Sequence, residues 1–183
     1  MTTKSILRAQ MRRLRVRLAT RNPDAAKLVA AHEIDLRPGI VAGYLSQGSE
    51  LSPGPLLARL CSLGWKAALP VTLARDQVLA FRAWEPGDIL VPDALNVPAP
   101  RPEAPACRPD LILVPLLAFD RTGGRLGQGA GCYDRTLETL RATGPVTAWG
   151  LGYAGQEIDL VPSDPWDQRL DAILTEIGYI GVT

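Results

Sequence analysis

Between Asp110 and Arg135 the chain reads DLILVPLLAFDRTGGRLGQGAGCYDR: an apolar run, then glycines at 123, 124, 127, 129 and 131, then a helical pattern. Alternate glycines let successive backbone N–H groups turn toward one point, and the helix that follows adds its positive dipole end. Such a bend is an anion cradle, best suited to phosphate. Arg125 and Arg135 flank it with fixed positive charge, and Asp134 supplies a hard oxygen donor for magnesium beside the phosphates. Two familiar phosphate loops do not fit. A Walker A loop ends in Lys followed by Ser or Thr, and neither is present. A dinucleotide fingerprint needs GxGxxG and an acid about 20 residues on; here the pattern is GxGxG, with no acid between Glu138 and Glu157. On the glycines alone, a turn without a ligand remains an equal reading.

The elements around this bend must hold it in place. Leu111 to Val114 is wholly apolar and reads as a central strand, and Tyr133 to Arg141 reads as the helix leaving the loop. Upstream, Asn22-Pro23-Asp24 opens a helix, with Asn22 as its cap and Pro23 at its first position. Ile40 to Leu45 is a short buried strand. A helix over Leu56–Leu63 stops at Gly64, and strands follow at 66–70 and 78–82. Val146 to Leu151 and Ala172 to Thr175 are later strands. This alternation predicts an α/β fold: a single domain over 1–183 with an open, mostly parallel sheet and helices on both faces. Seven prolines between Pro86 and Pro109 predict a long extended surface connection without ladder pairing, internal to that domain.

Residues 4–19 form an amphipathic helix, with Leu7, Met11, Leu14 and Leu18 on one face. Lys4, Arg8, Arg12 and Arg15 make a cationic stripe beside that seam, turned toward a cleft. Taken singly, Arg12, Arg13, Arg15 and Arg17 read as a solvated basic face. The total charge is only +1, which argues against nucleic acid as a partner. No apolar stretch reaches the roughly 18 residues of a membrane span, and the first twenty residues lack the pattern of a secretory signal. Cys61, Cys107 and Cys132 are odd in number and widely spaced, which predicts no disulfide framework and fits a reducing cytoplasm. No protein partner is implied. His32, the only histidine, reads as a packing or surface residue in the second helix. Without a base beside it, Cys132 reads as an inert thiol.

VPLLAFDRTGG followed by RLGQGAGCYDR resembles the signature of the 5-formyltetrahydrofolate cyclo-ligase family. Four further islands in order resemble the same family: Lys4 to Arg8, Tyr44-Leu45 with Glu50, Gly64 to Pro70, and Val161-Pro162 through Glu176. The resemblance implies cyclisation of 5-formyltetrahydrofolate to 5,10-methenyltetrahydrofolate at the expense of ATP, with Mg²⁺. It implies nucleotide contacts from Lys4, Arg8 and the run Arg125, Leu126, Gly127, Gln128, Gly129, Ala130, Gly131, Cys132 and Tyr133. The loop tip, Gln128 to Cys132, would also face the folate, and Leu45 and Glu50 would hold its pterin. Asp134 and Asp167 would be the magnesium carboxylates, with Asp171 a neighbouring competitor; Arg125 and Asp134 would act in catalysis. Gln128, Ala130 and Cys132 depart from the family's usual residues. They leave open a non-catalytic or repurposed relative that binds nucleotide or folate.

Overall fold

The computed structural model describes residues 3–182. Helix α1 is Thr3–Arg21 and α2 is Ala25–Ala31; strand β1 (Ile40–Ala42) leads through α3 (Gly54–Ser62) to β2 (Lys66–Thr72) and β3 (Leu79–Ala83). Next come β4 (Leu90–Pro92), β5 (Pro98–Pro100) and β6 (Leu111–Pro115), then the short pair β7 (Ala118–Phe119) and β8 (Arg125–Leu126). Helix α4 (Cys132–Thr143), β9 (Thr147–Leu151), β10 (Ala172–Thr175) and β11 (Gly178–Gly181) follow.

Seven strands form one sheet in the order β11-β10-β9-β6-β1-β2-β3. The inner five run parallel, and β11 and β3 close the edges antiparallel. Strand β6 takes the centre because Leu111 to Val114 are apolar throughout, and all four are fully buried. Their side chains alternate between faces. Leu111 and Leu113 pack with Val29 of α2 and with Leu56 and Leu60 of α3. Ile112 and Val114 pack with Leu137 and Leu140 of α4. The expected sheet with helices on both faces is therefore present. From β1 the chain steps outward to β2, whereas from β6 it steps the other way to β9 and β10. A crevice opens at the carboxyl ends of β1 and β6, where the winding reverses.

Helix α1 lies across the β7–β8 hairpin: Leu7, Met11 and Leu14 pack on Leu117, Ala118, Leu126 and Val161. Buried Asp120 shapes that hairpin. Its Oδ1 accepts from Thr122 N (2.8 Å), Thr122 Oγ1 (2.7 Å) and Gly124 N (3.0 Å), and its Oδ2 from Val161 N (2.8 Å). Burial raises this carboxyl, but the four hydrogen bonds outweigh it and hold it below the ordinary range.

Several local expectations are corrected. The proline-rich segment does pair: β4 and β5 form a two-stranded ribbon with Val91 opposite Ala99. The prolines stand at the flanking pairs, so the central pair keeps both N–H groups for the ladder. Ala99 and Pro100 are buried, so the segment is not merely a surface connection. Asp93 closes the hairpin by accepting from Leu95 N and Val97 N, and it ties the hairpin to β2 through Thr72 N. Asn22 does not cap α2. It donates to Leu18 O at the end of α1, and Asp24 precedes α2 instead. Strand β1 ends at Ala42 rather than Leu45. His32 lies just beyond α2, its Nε2 2.8 Å from Thr175 O.

Candidate functional site

The crevice holds a cavity of about 740 Å³, within the size range of ligand pockets. Its walls are the start of α1, the segment after β1, the end of β2, the start of β3, residues 125–135, and Asp164, Trp166 and Asp167. Two sequence features meet at its rim. Arg8 Nε donates to Gly127 O at 3.0 Å. Gly129 has φ +112°, and a Cβ there would sit 3.3 Å from the Arg8 guanidinium carbon; only glycine accepts both the backbone angle and the close cation. Gly131 (φ 66°) then turns the chain into α4. Among the described residues, the N–H groups of Gly127, Gln128, Gly129, Ala130 and Gly131 donate to no protein acceptor. All five residues line the cavity.

Carboxylates and cations are paired around this bend. Lys4 Nζ lies 2.7 Å from Asp164 Oδ2 and 2.6 Å from Asp167 Oδ2. Burial lowers the Lys4 ammonium, and the bonds to Asp164 and Asp167 more than restore it, leaving it above its ordinary value. Arg125, its side chain 4 % exposed, donates from Nη2 to Asp134 Oδ1 at 2.6 Å and from Nη1 to Gln168 O. Asp134 Oδ1 also accepts from Gln168 N at 2.9 Å. Burial pulls Arg125 below its ordinary value against the opposing pull of Asp134. Asp171, the competitor for Asp167, is a structural cap: it accepts from Ala148 N at the start of β9 and from Arg141.

At the other flank, Glu50 is held from three sides. Its Oε1 accepts from Arg15 Nη1 (3.4 Å) and Gln128 Nε2 (3.5 Å), and its Oε2 from Gln47 N (3.0 Å). Arg15 also donates to Ser49 Oγ and Leu116 O. Arg15 is therefore not part of a solvated face: only 6 % of it is exposed, because it stands one helical turn beyond Met11 where α1 meets the sheet. Arg13 and Arg17 are exposed as expected. Arg12 is exposed but bonds Gln128 Oε1 at 3.0 Å, so α1 reaches the loop tip twice. Buried Tyr44 donates to Leu51 O at 2.5 Å, shaping the turn that carries Leu45 and Glu50. Burial raises the hydroxyls of Tyr44 and Tyr133, so both remain neutral.

All of Lys4, Arg8, Leu45, Glu50, residues 125–134 and Asp167 line one cavity, although they lie in four separate stretches of sequence. Cys132 begins α4, and its nearest polar partner is Ala130 O at 4.0 Å; no base activates it. Among the lining residues that the sequence pattern did not mark are Asp164, Trp166 and Gln47, together with Leu79 and Val97. Asp164 had a legible signal in its spacing, three residues before Asp167 in a tight Asp-Pro-Trp-Asp turn whose Asp164 N donates to Asp167 Oδ2.

Comparison with known proteins identifies the family and the fold. The chain is 34% identical over 164 residues to 5-formyltetrahydrofolate cyclo-ligase of Escherichia coli K12, covering 86% of this chain and 85% of that one. It is 38% identical over 145 residues to the Mycolicibacterium smegmatis protein of the same name, covering 74% and 72%. The NMR structure of Aquifex aeolicus 5,10-methenyltetrahydrofolate synthetase superposes with a TM-score of 0.80 at 25% identity, covering 99% of this chain and 93% of that one. A methenyltetrahydrofolate synthetase structure from Mycoplasma pneumoniae shares the fold, with a TM-score of 0.73 at 22% identity over 96% and 99% of the two chains. The profile of the 5-formyltetrahydrofolate cyclo-ligase family matches residues 1–176, and the chain belongs to that family.

Proposed function

We propose that this protein couples ATP hydrolysis to closure of 5-formyltetrahydrofolate into 5,10-methenyltetrahydrofolate, releasing ADP and phosphate. One observation carries the reading: Arg8 of the cationic helix lies against Gly127 and Gly129 of a loop whose N–H groups are unpaired by protein, at the rim of one cavity. The chemistry asks for this layout. An N-formyl oxygen is an amide oxygen and a poor leaving group. Transfer of the γ-phosphoryl group onto it makes it a phosphate ester; N10 then attacks the formyl carbon, and the C–O bond breaks as phosphate leaves. No enzyme nucleophile is required, so catalysis is positioning plus charge stabilisation.

In this reading Lys4, Arg8 and the N–H groups of Gly127 to Gly131 bind the phosphates, with Leu126, Cys132 and Tyr133 completing the wall. Gln128 to Cys132 face the folate, Leu45 packs on the pterin, and Glu50 accepts its N–H bonds. Arg15 fixes the Glu50 carboxylate from behind, and Arg125 fixes Asp134. The donor set suits magnesium. Asp134 and Asp167 take all their hydrogen bonds on a single oxygen. No cluster of three or more His, Cys, Asp or Glu forms a ready metal cage among the described residues. Magnesium is held this way, by one or two carboxylates together with substrate phosphates. When bound, it would neutralise charge on the transferring phosphoryl group. The three cysteines are free thiols, as a reducing compartment would keep them, and a cytoplasmic location is part of this reading.

The test is direct. Purified protein with Mg-ATP and 5-formyltetrahydrofolate should build the methenyl chromophore and release one ADP per product. Tight binding of either ligand without product would remove the cyclo-ligase reading and leave a repurposed relative.

A further inference from the structure

Building on the cyclo-ligase reading, we propose that Arg135 anchors the terminal glutamate carboxylates of the folate substrate, with Pro70, Leu79 and Val97 carrying its p-aminobenzoyl ring. The substrate has three parts in series: a polar pterin, an aromatic ring and a dianionic glutamate. Glu50 and Leu45 suit the first part. The same cavity is lined by Pro70, Leu79 and Val97, an apolar wall built from β2, β3 and the residue before β5, and by Arg135. This wall is fixed to the start of α4, because Leu79 N donates to Thr136 Oγ1 at 2.9 Å.

Among the described residues, Arg8 and Arg135 are the lining arginines not held by a close carboxylate; Arg8 lies against Gly127 and Gly129 of the loop, and Arg135 stands beside the apolar wall. Arg135 Nη2 bonds Ala130 O at 2.6 Å, which fixes the plane of the fork, while its buried Nε–H has no acceptor. By contrast, Lys4 is bound between two carboxylates, and Arg125 is bound by Asp134 and Gln168. The acid beside Arg135, Asp76, is 3.9 Å away with its side chain 66% exposed, and exposed Glu138 borders the same rim. An incoming carboxylate therefore replaces a solvent-screened contact, not a buried pair. A guanidinium fork matches a carboxylate in two parallel bonds, which adds direction to the charge attraction.

A nucleotide phosphate presents the same anionic chemistry, so the experiment separates the two sources. Kinetics are compared on 5-formyltetrahydrofolate and on 5-formyltetrahydropteroate, which lacks the glutamate, for the native protein and Arg135→Gln. The native protein should prefer the glutamylated substrate in kcat/KM by about 10- to 100-fold, the range of a hydrogen-bonded charge. In Arg135→Gln that preference should fall close to one, and Arg135→Lys should recover part of it. Equal loss on both substrates, or a change confined to the KM for ATP, overturns the proposal. So does a native protein that does not distinguish the two. If neither substrate turns over, the cyclo-ligase reading fails and the anchor is judged by equilibrium binding. Tighter binding of the glutamylated compound to native protein alone supports it, and equal binding overturns it.

Discussion

Lys4 and Arg15 stand eleven residues apart on α1, three helical turns, and so face the same way. Each meets acid, but the two ends of the helix treat their pairs differently. Lys4 sits between Asp164 and Asp167, with side-chain exposures of 18%, 44% and 23%. Arg15 and Glu50 are 7% and 9% exposed, and Ser49 and Leu116 take further bonds from the guanidinium. The first group is only partly buried and Asp164 is open to solvent, so water can take the place of a departing partner more readily there than at Arg15. The second is locked, since removing one member strands a charge out of water. One helix thus presents a releasable cation to the proposed phosphates and a fixed cation to Glu50, the carboxylate proposed to bind the pterin.

The largest effect should come from the locked end. Arg15→Met should lower unfolding free energy by about 3–5 kcal/mol, measured by urea titration, and Arg15→Met with Glu50→Gln should recover part of that loss. A cost below about 1 kcal/mol would place Arg15 with the solvated arginines and erase the contrast. Next in size, Asp134→Asn should cut turnover by about 10²-fold or more. The fold should survive, because the amide oxygen still accepts from Arg125 and Gln168 N. Near-normal turnover would rule out a role for that carboxylate in the reaction.

A smaller effect belongs to Asp120, which shapes the hairpin under α1. Its carboxyl is depressed in the folded state, so its contribution is complete above the unfolded pKa and is lost as pH falls through the lower native value. Asp120→Asn should cost about 1–3 kcal/mol near pH 7, and its gap from the native protein should narrow below about pH 4. A gap that stays constant with pH would show that Asp120 acts by shape alone. The smallest stability effect should come from the releasable end. Lys4→Met should change stability by less than about 1 kcal/mol while weakening Mg-nucleotide binding in calorimetry. A large stability loss with unchanged nucleotide affinity would reverse the roles of the two ends.

Much of the frame was legible in residue types. The unbroken apolar run at 111–114 placed β6 at the centre, and the Leu7, Met11, Leu14 seam placed α1 on the domain. What sequence patterns could not show was cross-chain satisfaction. Arg15 looks like its neighbours Arg13 and Arg17 in sequence; it differs only because Leu116 O and Glu50 arrive from elsewhere in the fold. The β4–β5 ribbon was missed for a similar reason, since proline density hides the spacing that leaves Val91 and Ala99 free to pair. Strand β11 reads Gly-Tyr-Ile-Gly, with glycine at both ends masking it, and the two-residue strands of the β7–β8 hairpin are too short to carry a periodic signal. In the site, the glycine spacing and the Lys4, Arg8 stripe were visible, whereas the place of Asp164 beside Lys4 depends on a contact 160 residues away in sequence.

The central claim is that a triphosphate lies between α1 and the glycine bend. A crystal structure with magnesium and a non-hydrolysable ATP analogue tests it most directly. Phosphate oxygens should lie within hydrogen-bond distance of Lys4 Nζ, the Arg8 guanidinium and N–H groups from Gly127 to Gly131, with Lys4 drawn away from Asp164 and Asp167. A nucleotide bound elsewhere, with the Lys4 pairs intact and the loop N–H groups facing only water, would contradict it.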